Sequence, residues 1–281
     1  MIPKNILVTG GTGSFGTAFA DEALELGATR ICIYSRGEHR QAAMREALGN
    51  DERLRWFIGD VRDRSRLTRA MHDVELVVHA AALKRIETGH YNPIEMVKTN
   101  VDGAINVIEA AQDASVERVV ALSSDKAYQP VSAYGFSKAM AEALFLAANG
   151  TVGQYGPCFS VVRYGNVAGS AGSVIPLWRH CKEHRITPNG TDPDCTRFWM
   201  RMDQAVDLVM DTAGTMIGGE LAIPTLPAYR LADLAEAMGV EPHWNGLPTW
   251  EKKHECMGPG NCSDTARRMT VEELKEKIEY V

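Results

Sequence analysis

The stretch "ALSSDKAYQPVSAYGFSK" (121–138) crowds an acid, two amines, two phenols and several hydroxyls into one short segment. Tyr134 and Lys138 are spaced i, i+4, which on a helix sets phenol and ammonium on one face roughly 6 Å apart. A cation at that distance favours phenolate and lowers a pKa that starts near ~10. Tyr134 could then accept a proton from a substrate hydroxyl while hydride leaves for a nicotinamide. Ser123 or Ser124, at the end of a strand-like run, could hydrogen-bond the same hydroxyl.

A second constellation lies near the start. "VTGGTGSFG" ends a strand-like run with Gly10, Gly13 and Gly16, so backbone can approach a pyrophosphate at the start of a helix. The strand-turn-helix context carries this reading, since glycines alone are weak evidence. At the end of the second strand a site for NAD places Asp or Glu to bind the ribose hydroxyl, but this chain reads Tyr34-Ser35-Arg36. A hydroxyl and a guanidinium suit a 2′-phosphate, so the expected cofactor is NADP, with Glu38 an acid still within reach. "GDVRD" offers Asp60 and Val61 to the adenine, though Asp60 could equally cap the next helix.

These residues need elements to place them. Runs rich in Ile, Val and Leu recur as "NILVTG", "RICIYSR", "LRWFIGD", "ELVVHAA", "ERVVALSS" and "FSVVRYGN", separated mostly by Ala-rich helical patterns. Continuous apolar strands alternating with helices imply an α/β fold, a doubly wound parallel sheet covered on both faces. From about residue 169 the pattern breaks into Gly, Pro and Asn-rich sequence. The expected division is a cofactor domain over 1–168 and a smaller C-terminal substrate-binding lobe over 169–281, with 203–224 returning to the main sheet. Thr270 and Glu273 predict a capping box opening a last helix.

The 281 residues suffice for such a unit with a substantial core. Hydrophobic residues at 45% and charged residues at 23% exclude a disordered chain. A net charge of −6 argues against a nucleic-acid partner, so an anionic ligand must be met by a few local cations. No apolar run approaches the ~20 residues that span a bilayer, and Met1 leads almost directly into "KNILVTG", which leaves no room for a signal peptide and none is expected. A cytoplasmic location with no membrane partner is expected. That setting argues against disulfides among Cys32, Cys158, Cys181, Cys195, Cys256 and Cys262. Neither "HECMGPGNC" nor "HCKEH" supplies a zinc ligand set, so no metal is expected.

The motifs "VTGGTGSFG", "IYSRGEHRQ", "FIGDVRD", "VVHAAALKRIE", "YNPIEMVKTNV", "SSDKAYQP", "YGFSK", "VVRYGNVAGSAGSVIP" and "TRFWM" cover about residues 4 to 202. Through them the chain resembles an extended short-chain dehydrogenase/reductase with a Rossmann domain. Within that superfamily it is similar to the soluble inverting UDP-N-acetylglucosamine 4,6-dehydratases of surface-glycan biosynthesis. The resemblance implies NADP held by Gly10, Thr12, Gly13, Ser14, Phe15, Gly16, Ser35, Arg36, Asp60, Val61, Ala80, Ala81, Tyr134 and Lys138. In such enzymes C4 is oxidised, water leaves from C5 and C6, and the stored hydride returns to C6. Oxidation alone would leave Asp125 and Lys126 idle. The resemblance makes Asp125 the acid for the departing hydroxyl and Lys126 the base for the C5 proton, with Ser124 beside them. This demands a neutral acid and a neutral amine, which carry the same number of protons as carboxylate plus ammonium, so the pair should titrate as a unit.

Lys84, Asn166 and Arg197, each inside a matched motif, are the candidates to meet the substrate pyrophosphate. Asn100 is expected to position the catalytic helix and a water. Toward the C-terminus relatives resemble Arg-Pro-Gly-Glu-Lys-x-His-Glu, whereas this chain has "PTWEKKHE", with Thr249 and Trp250 in place of Pro-Gly and no Arg before them. A homo-oligomer is expected. A UDP-sugar 4-epimerase would share the fold, Tyr134 and Lys138 but has no need for Asp125 and Lys126. A 5,6-dehydratase eliminates the same water. A non-catalytic NADP-sensing protein would typically have lost Tyr134 or Lys138, and membrane-anchored relatives that retain C5 tend to have Met at the Tyr134 position.

Overall fold

The computed structural model describes residues 3–153 and 156–281, so residues 1, 2, 154 and 155 of the expected 1–168 unit lie outside the described residues. Six apolar runs form parallel strands: β1 (Asn5–Thr9), β2 (Arg30–Ser35), β3 (Leu54–Ile58), β4 (Leu76–His79), β5 (Arg118–Leu122) and β6 (Cys158–Val162). Short strands follow in pairs: Asn189–Gly190 (β7) with His243–Trp244 (β11), Thr196–Phe198 (β8) with Ala228–Arg230 (β10), and Cys256–Gly258 (β12) with Asn261–Cys262 (β13). Leu221–Ala222 (β9) instead adds to β6, giving a seven-stranded parallel sheet in the order β3-β2-β1-β4-β5-β6-β9. The order reverses after β1, where the crossovers switch to the other side of the sheet. In such sheets ligands bind beyond the carboxyl ends of the strands at that switch.

Alternation of side chains along each strand divides the interior into two cores. Ile6, Val8, Ile31, Ile33, Val120 and Val162 face one side, packed with Phe19, Ala23, Val206 and Val209. Those four come from α1 (Ser14–Glu25) and α9 (Met202–Thr215). Leu7, Cys32, Val77, Val119 and Val161 face the other side. There they meet α3 (Arg64–Ala70), α6 (Gly103–Asp113) and α7 (Ala133–Ala148) through Leu67, Val107, Ala111 and Phe145. Both faces being covered explains why the strands read as unbroken apolar runs.

The third core belongs to the C-terminal lobe. Trp178 of α8 (Val174–Glu183), Leu234 of α10 (Leu231–Met238), Leu274 of α11 (Val271–Ile278), Trp199 and Tyr229 are buried together. Thr270 caps α11 reciprocally with Glu273, as its spacing predicts. Helix α2 (Glu38–Ala47), two short helices, α4 (Ile86–Tyr91) and α5 (Pro93–Val97), and a π turn over Lys98–Asp102 complete the frame. Among the described residues no helix is long and apolar enough to cross a membrane.

One expectation fails. Cys256 and Cys262 form a disulfide, because the β12–β13 hairpin brings their Cα atoms to 4.0 Å. The same hairpin removes "HECMGPGNC" as a set of free thiol ligands.

Candidate active site

The chemistry-bearing residues converge at the carboxyl ends of the strands. β1 ends in Thr9 and turns through Gly10, whose φ is +65° and whose absent Cβ would stand 2.8 Å from the Ala81 backbone beyond β4. Gly16 packs against Gly11, where a Cβ would come within 2.5 Å of backbone. These two contacts let the turn close and let α1 start beneath it. Gly13 occupies the N-cap of α1 with no side-chain hydrogen bond, so the first amides of a twelve-residue helix are free for an anion. Thr12, Ser14 and Phe15 flank this opening and are all partly exposed. The cradle fits a dinucleotide pyrophosphate.

At the end of β2 the two residues proposed for a 2′-phosphate behave differently. Arg36 is exposed and its nearest carboxylate, Asp60, is 3.9 Å away. Ser35 is buried, and its Oγ accepts a hydrogen bond of 3.0 Å from Gln41. Asp60 does not cap the next helix. It forms a bidentate ion pair with Arg62, while Asp63 caps α3 by accepting from the Arg66 amide. Arg62 holds the Asp60 carboxyl below its ordinary range against the opposing effect of partial burial. Val61 is buried behind it, and Ala80 and Ala81 line the step out of β4.

Asp125 and Lys126, expected to act in dehydration, sit just past β5. Ser124 caps a 3-10 turn over Asp125–Ala127, accepting from the Lys126 amide and donating through Oγ to Asp125 Oδ1 at 2.9 Å. Asp125 is fully buried, anchored by its amide to the Tyr164 carbonyl, and its Oδ2 has no hydrogen-bond partner. Lys126 Nζ lies 3.1 Å from Asp125 Oδ1 and 3.5 Å from Glu255 Oε1. Burial presses the Lys126 pKa down, but these two carboxylates outweigh it and hold the group well above the ordinary lysine range. In the resting site Lys126 is therefore an ammonium. This differs from the neutral amine expected from sequence, because two acids share one cation.

Tyr134 and Lys138 share one side of α7, but their relationship differs from the expectation. Burial raises the Tyr134 pKa, and the opposing cation is Lys126, aided by the Ser124 hydroxyl. Lys138 Nζ donates to the Leu122 carbonyl at 2.5 Å, and burial pulls its pKa down to about 8 despite the Glu142 carboxylate one turn along. Ser123 is not the substrate-facing hydroxyl, since its Oγ donates to Glu142. Glu142 in turn pairs with Arg163, whose Nη1 donates to Met257 O at 2.7 Å. Asn100, on the π turn, exchanges hydrogen bonds with the Leu83 backbone and donates to Ser137 Oγ at 2.9 Å, fixing α7 from the side.

The three pyrophosphate candidates stand in different environments. Lys84 is exposed on the segment after β4. Asn166 has a buried, unpartnered Oδ1 and lines a cavity with Ser173, Trp199 and Tyr229. Ser173 Oγ and Trp199 Nε1 are buried there too without a protein hydrogen-bond partner. Arg197 is neither solvated nor free: it is buried, donates to the Thr196 and Lys253 carbonyls, and pairs with Glu251. Sequence reasoning missed Glu142, Arg163, Lys252 and Glu255. Glu142 lies i+4 from Lys138 and could have been read, whereas Glu255 reaches the site only through the lobe. His180, near the end of α8, and His184, its C-cap, have ring centroids 4.1 Å apart with planes tilted by 36°, and among the described residues no cluster of three or more metal-ligating side chains is present.

Comparison with known proteins agrees with this geometry. The chain is 44% identical over 262 residues to a UDP-N-acetylglucosamine 4,6-dehydratase (inverting) of Campylobacter jejuni subsp. jejuni serotype O:23/36 (strain 81-176), covering 90% of this chain and 77% of that one. It is 41% identical over 241 residues to a UDP-glucose 4-epimerase of Rickettsia felis, covering 84% and 70%. The solved structure of Pen from Bacillus thuringiensis superposes with a TM-score of 0.94 at 32% identity, covering 100% of this chain and 99% of that one. A family model described as polysaccharide biosynthesis protein matches residues 6–266, and the chain, with its extended short-chain dehydrogenase/reductase fold, belongs to that family.

Proposed function

We propose that the protein is an NADP-dependent nucleotide-sugar 4,6-dehydratase acting on UDP-N-acetylglucosamine with inversion at C5. The observation that carries the reading is the buried Asp125–Lys126 contact of 3.1 Å in the same cleft as Tyr134. A C4 epimerase needs Tyr134 and Lys138 but has no task for that couple. The substrate and the C5 outcome rest on the Campylobacter relative, and NADP rests on Arg36 and on the lack of an acid at the end of β2.

When bound, the nicotinamide would take hydride from C4 and return it to C6. Tyr134 receives the C4 hydroxyl proton, with Ser124 beside it. The C4 ketone then acidifies the C5 proton. A proton moves from Lys126 Nζ to Asp125, which converts ammonium and carboxylate into amine and carboxylic acid without changing the proton count. Lys126 takes the C5 proton, Asp125 protonates the departing C6 oxygen as water, and elimination restores the original ion pair. Hydride return to C6 would then leave an enolate that takes a proton at C5 from Tyr134, on the face opposite Lys126, which completes the inverted product and regenerates the phenolate. Low solvent access favours the neutral intermediate pair. Asn166 and its cavity would hold polar groups of the substrate, and Lys84 would meet a phosphate at the mouth.

The same reading includes a cytoplasmic homo-oligomer. Exposed Ile94 and Val97 on α5 and Phe136 and Met140 on neighbouring α7 support an assembly face. Incubation with UDP-N-acetylglucosamine and NMR identification of the product tests the reading. A 4-keto-6-deoxy sugar inverted at C5 is expected; a C4 epimer or a stable 5,6-alkene would replace it with another function.

A further inference from the structure

Glu255 enters the site from the C-terminal lobe, at the start of the disulfide-closed hairpin, with its side chain only 1% exposed. Its backbone is fixed on both sides: its amide donates to Ser263 Oγ at 2.9 Å and its carbonyl accepts from the Ser263 amide at 2.7 Å. Its Oε1 is 3.5 Å from Lys126 Nζ, and its Oε2 is 2.6 Å from Lys252 Nζ, an ion contact without hydrogen-bond directionality. Lys252 Nζ also donates to the Tyr128 carbonyl at 2.9 Å, tying the lobe to the turn that carries Asp125. Asp125, Lys126, Glu255 and Lys252 thus form a buried chain of alternating charge. A carboxylate buried this completely is costly unless it is paired, and here one of its two partners is the group assigned to C5.

We propose that Glu255 is a positioning residue for the dehydration step, holding Lys126 Nζ against the lobe and opposing release of its proton. The proposal rests on the reading of Lys126 as the C5 base. Lys126 is faced by Asp125 from its own turn, Glu255 from the hairpin, Arg197 from β8 and Tyr134 from α7. Arg197 and Glu251 pair with each other, and Lys252 pairs with Glu255. Loss of the Glu255 charge leaves Lys126 with one carboxylate and with the Lys252 cation uncompensated nearby. Both changes favour the free amine. Conversely, loss of Lys252 gives Lys126 a larger share of Glu255.

Two measurements decide it. The pH profile of C5 deuterium incorporation should rise at lower pH in Glu255→Gln, by about one unit, and Glu255→Asp should restore the native midpoint. Independently of substrate and cofactor, trace acetylation of Lys126 by acetic anhydride, read by peptide mass spectrometry against exposed Lys275, reports the free-amine fraction. Glu255→Gln should acetylate about tenfold faster at fixed pH, Glu255→Asp should match the native protein, and Lys252→Met should acetylate several-fold slower. If Glu255→Gln does not fold, Lys252→Met decides. Acetylation of Lys126 unchanged within about twofold in every folded variant overturns the proposal. A native protein that incorporates no deuterium at C5 overturns the functional reading instead, while the acetylation ratio still judges Glu255.

Discussion

Lys138 Nζ donates to the main-chain carbonyl of Leu122, so the lysine that sequence pairs with Tyr134 is held by the sheet. The cation acting on the Tyr134 phenol is Lys126. Tyr134 and Lys126, proposed for oxidation and for dehydration respectively, are therefore coupled electrostatically, and a change in one should be felt in the other.

Lys126→Ala and Tyr134→Phe separate the halves. Lys126→Ala should still give single-turnover absorbance in the reduced nicotinamide band, more slowly near neutral pH because Tyr134 loses its cation, but no deuterium at C5. Tyr134→Phe should give little of either. Loss of a general base costs ~10²–10⁴ in rate, so residual exchange at that level fits. Near-native deuterium incorporation in Lys126→Ala would remove it from the base role.

Cofactor choice is the next test. Fluorescence titration should show native protein binding NADP more tightly than NAD, and Arg36→Ala should narrow the gap by roughly tenfold, the scale of one lost charged hydrogen bond. Equal native affinity for both cofactors would reject the 2′-phosphate role.

Lys138 makes a signed prediction for stability. Its pKa falls from 10.5 to about 8 on folding, so between those values the unfolded chain holds more protons and stability rises with pH. Below pH 8 the folded state carries the full cost of a buried ammonium, on the order of 3 kcal/mol. Melting of Lys138→Met beside the native protein should show the variant's relative stability declining from pH 8 to 10.5. A difference independent of pH across that window would contradict the shift.

Thiol counting checks the hairpin. Under denaturing, non-reducing conditions Cys32, Cys158, Cys181 and Cys195 should react, giving four free thiols, and six after reduction. Six without reductant would show the hairpin open.

Much of this was legible from local pattern. The six long strands, the glycine turn and the Thr270 cap follow from alternation, strand-turn-helix context and capping chemistry, all short-range signals. Asp125, Lys126 and Tyr134 are gathered as their proximity along the chain suggests. What escaped is long-range. Arg197 read as a phosphate ligand because Arg suits phosphate, yet Glu251 and two carbonyls claim it once the lobe folds back. Burial of α7 reverses the expected direction for Tyr134, since desolvation outweighs a neighbouring cation and spacing carries no dielectric. The cysteine argument rested on compartment, while the hairpin supplies the geometry.

The tie between Lys252 and the turn at Asp125 spans 127 positions. A ribosome therefore releases β1 to β6, with the Gly10 turn, Tyr134 and Lys138, long before the lobe's acid and amine emerge. Until then Lys126 has Asp125 as its sole carboxylate partner and Arg163 lacks the Met257 carbonyl. The nascent chain can assemble its nucleotide cradle early, but the charged chain around Lys126 is completed only once residues 252 and 255 have emerged. A product cut before residue 251 would keep the glycine turn and the Asp125–Lys126 contact but lack the two partners that the lobe supplies.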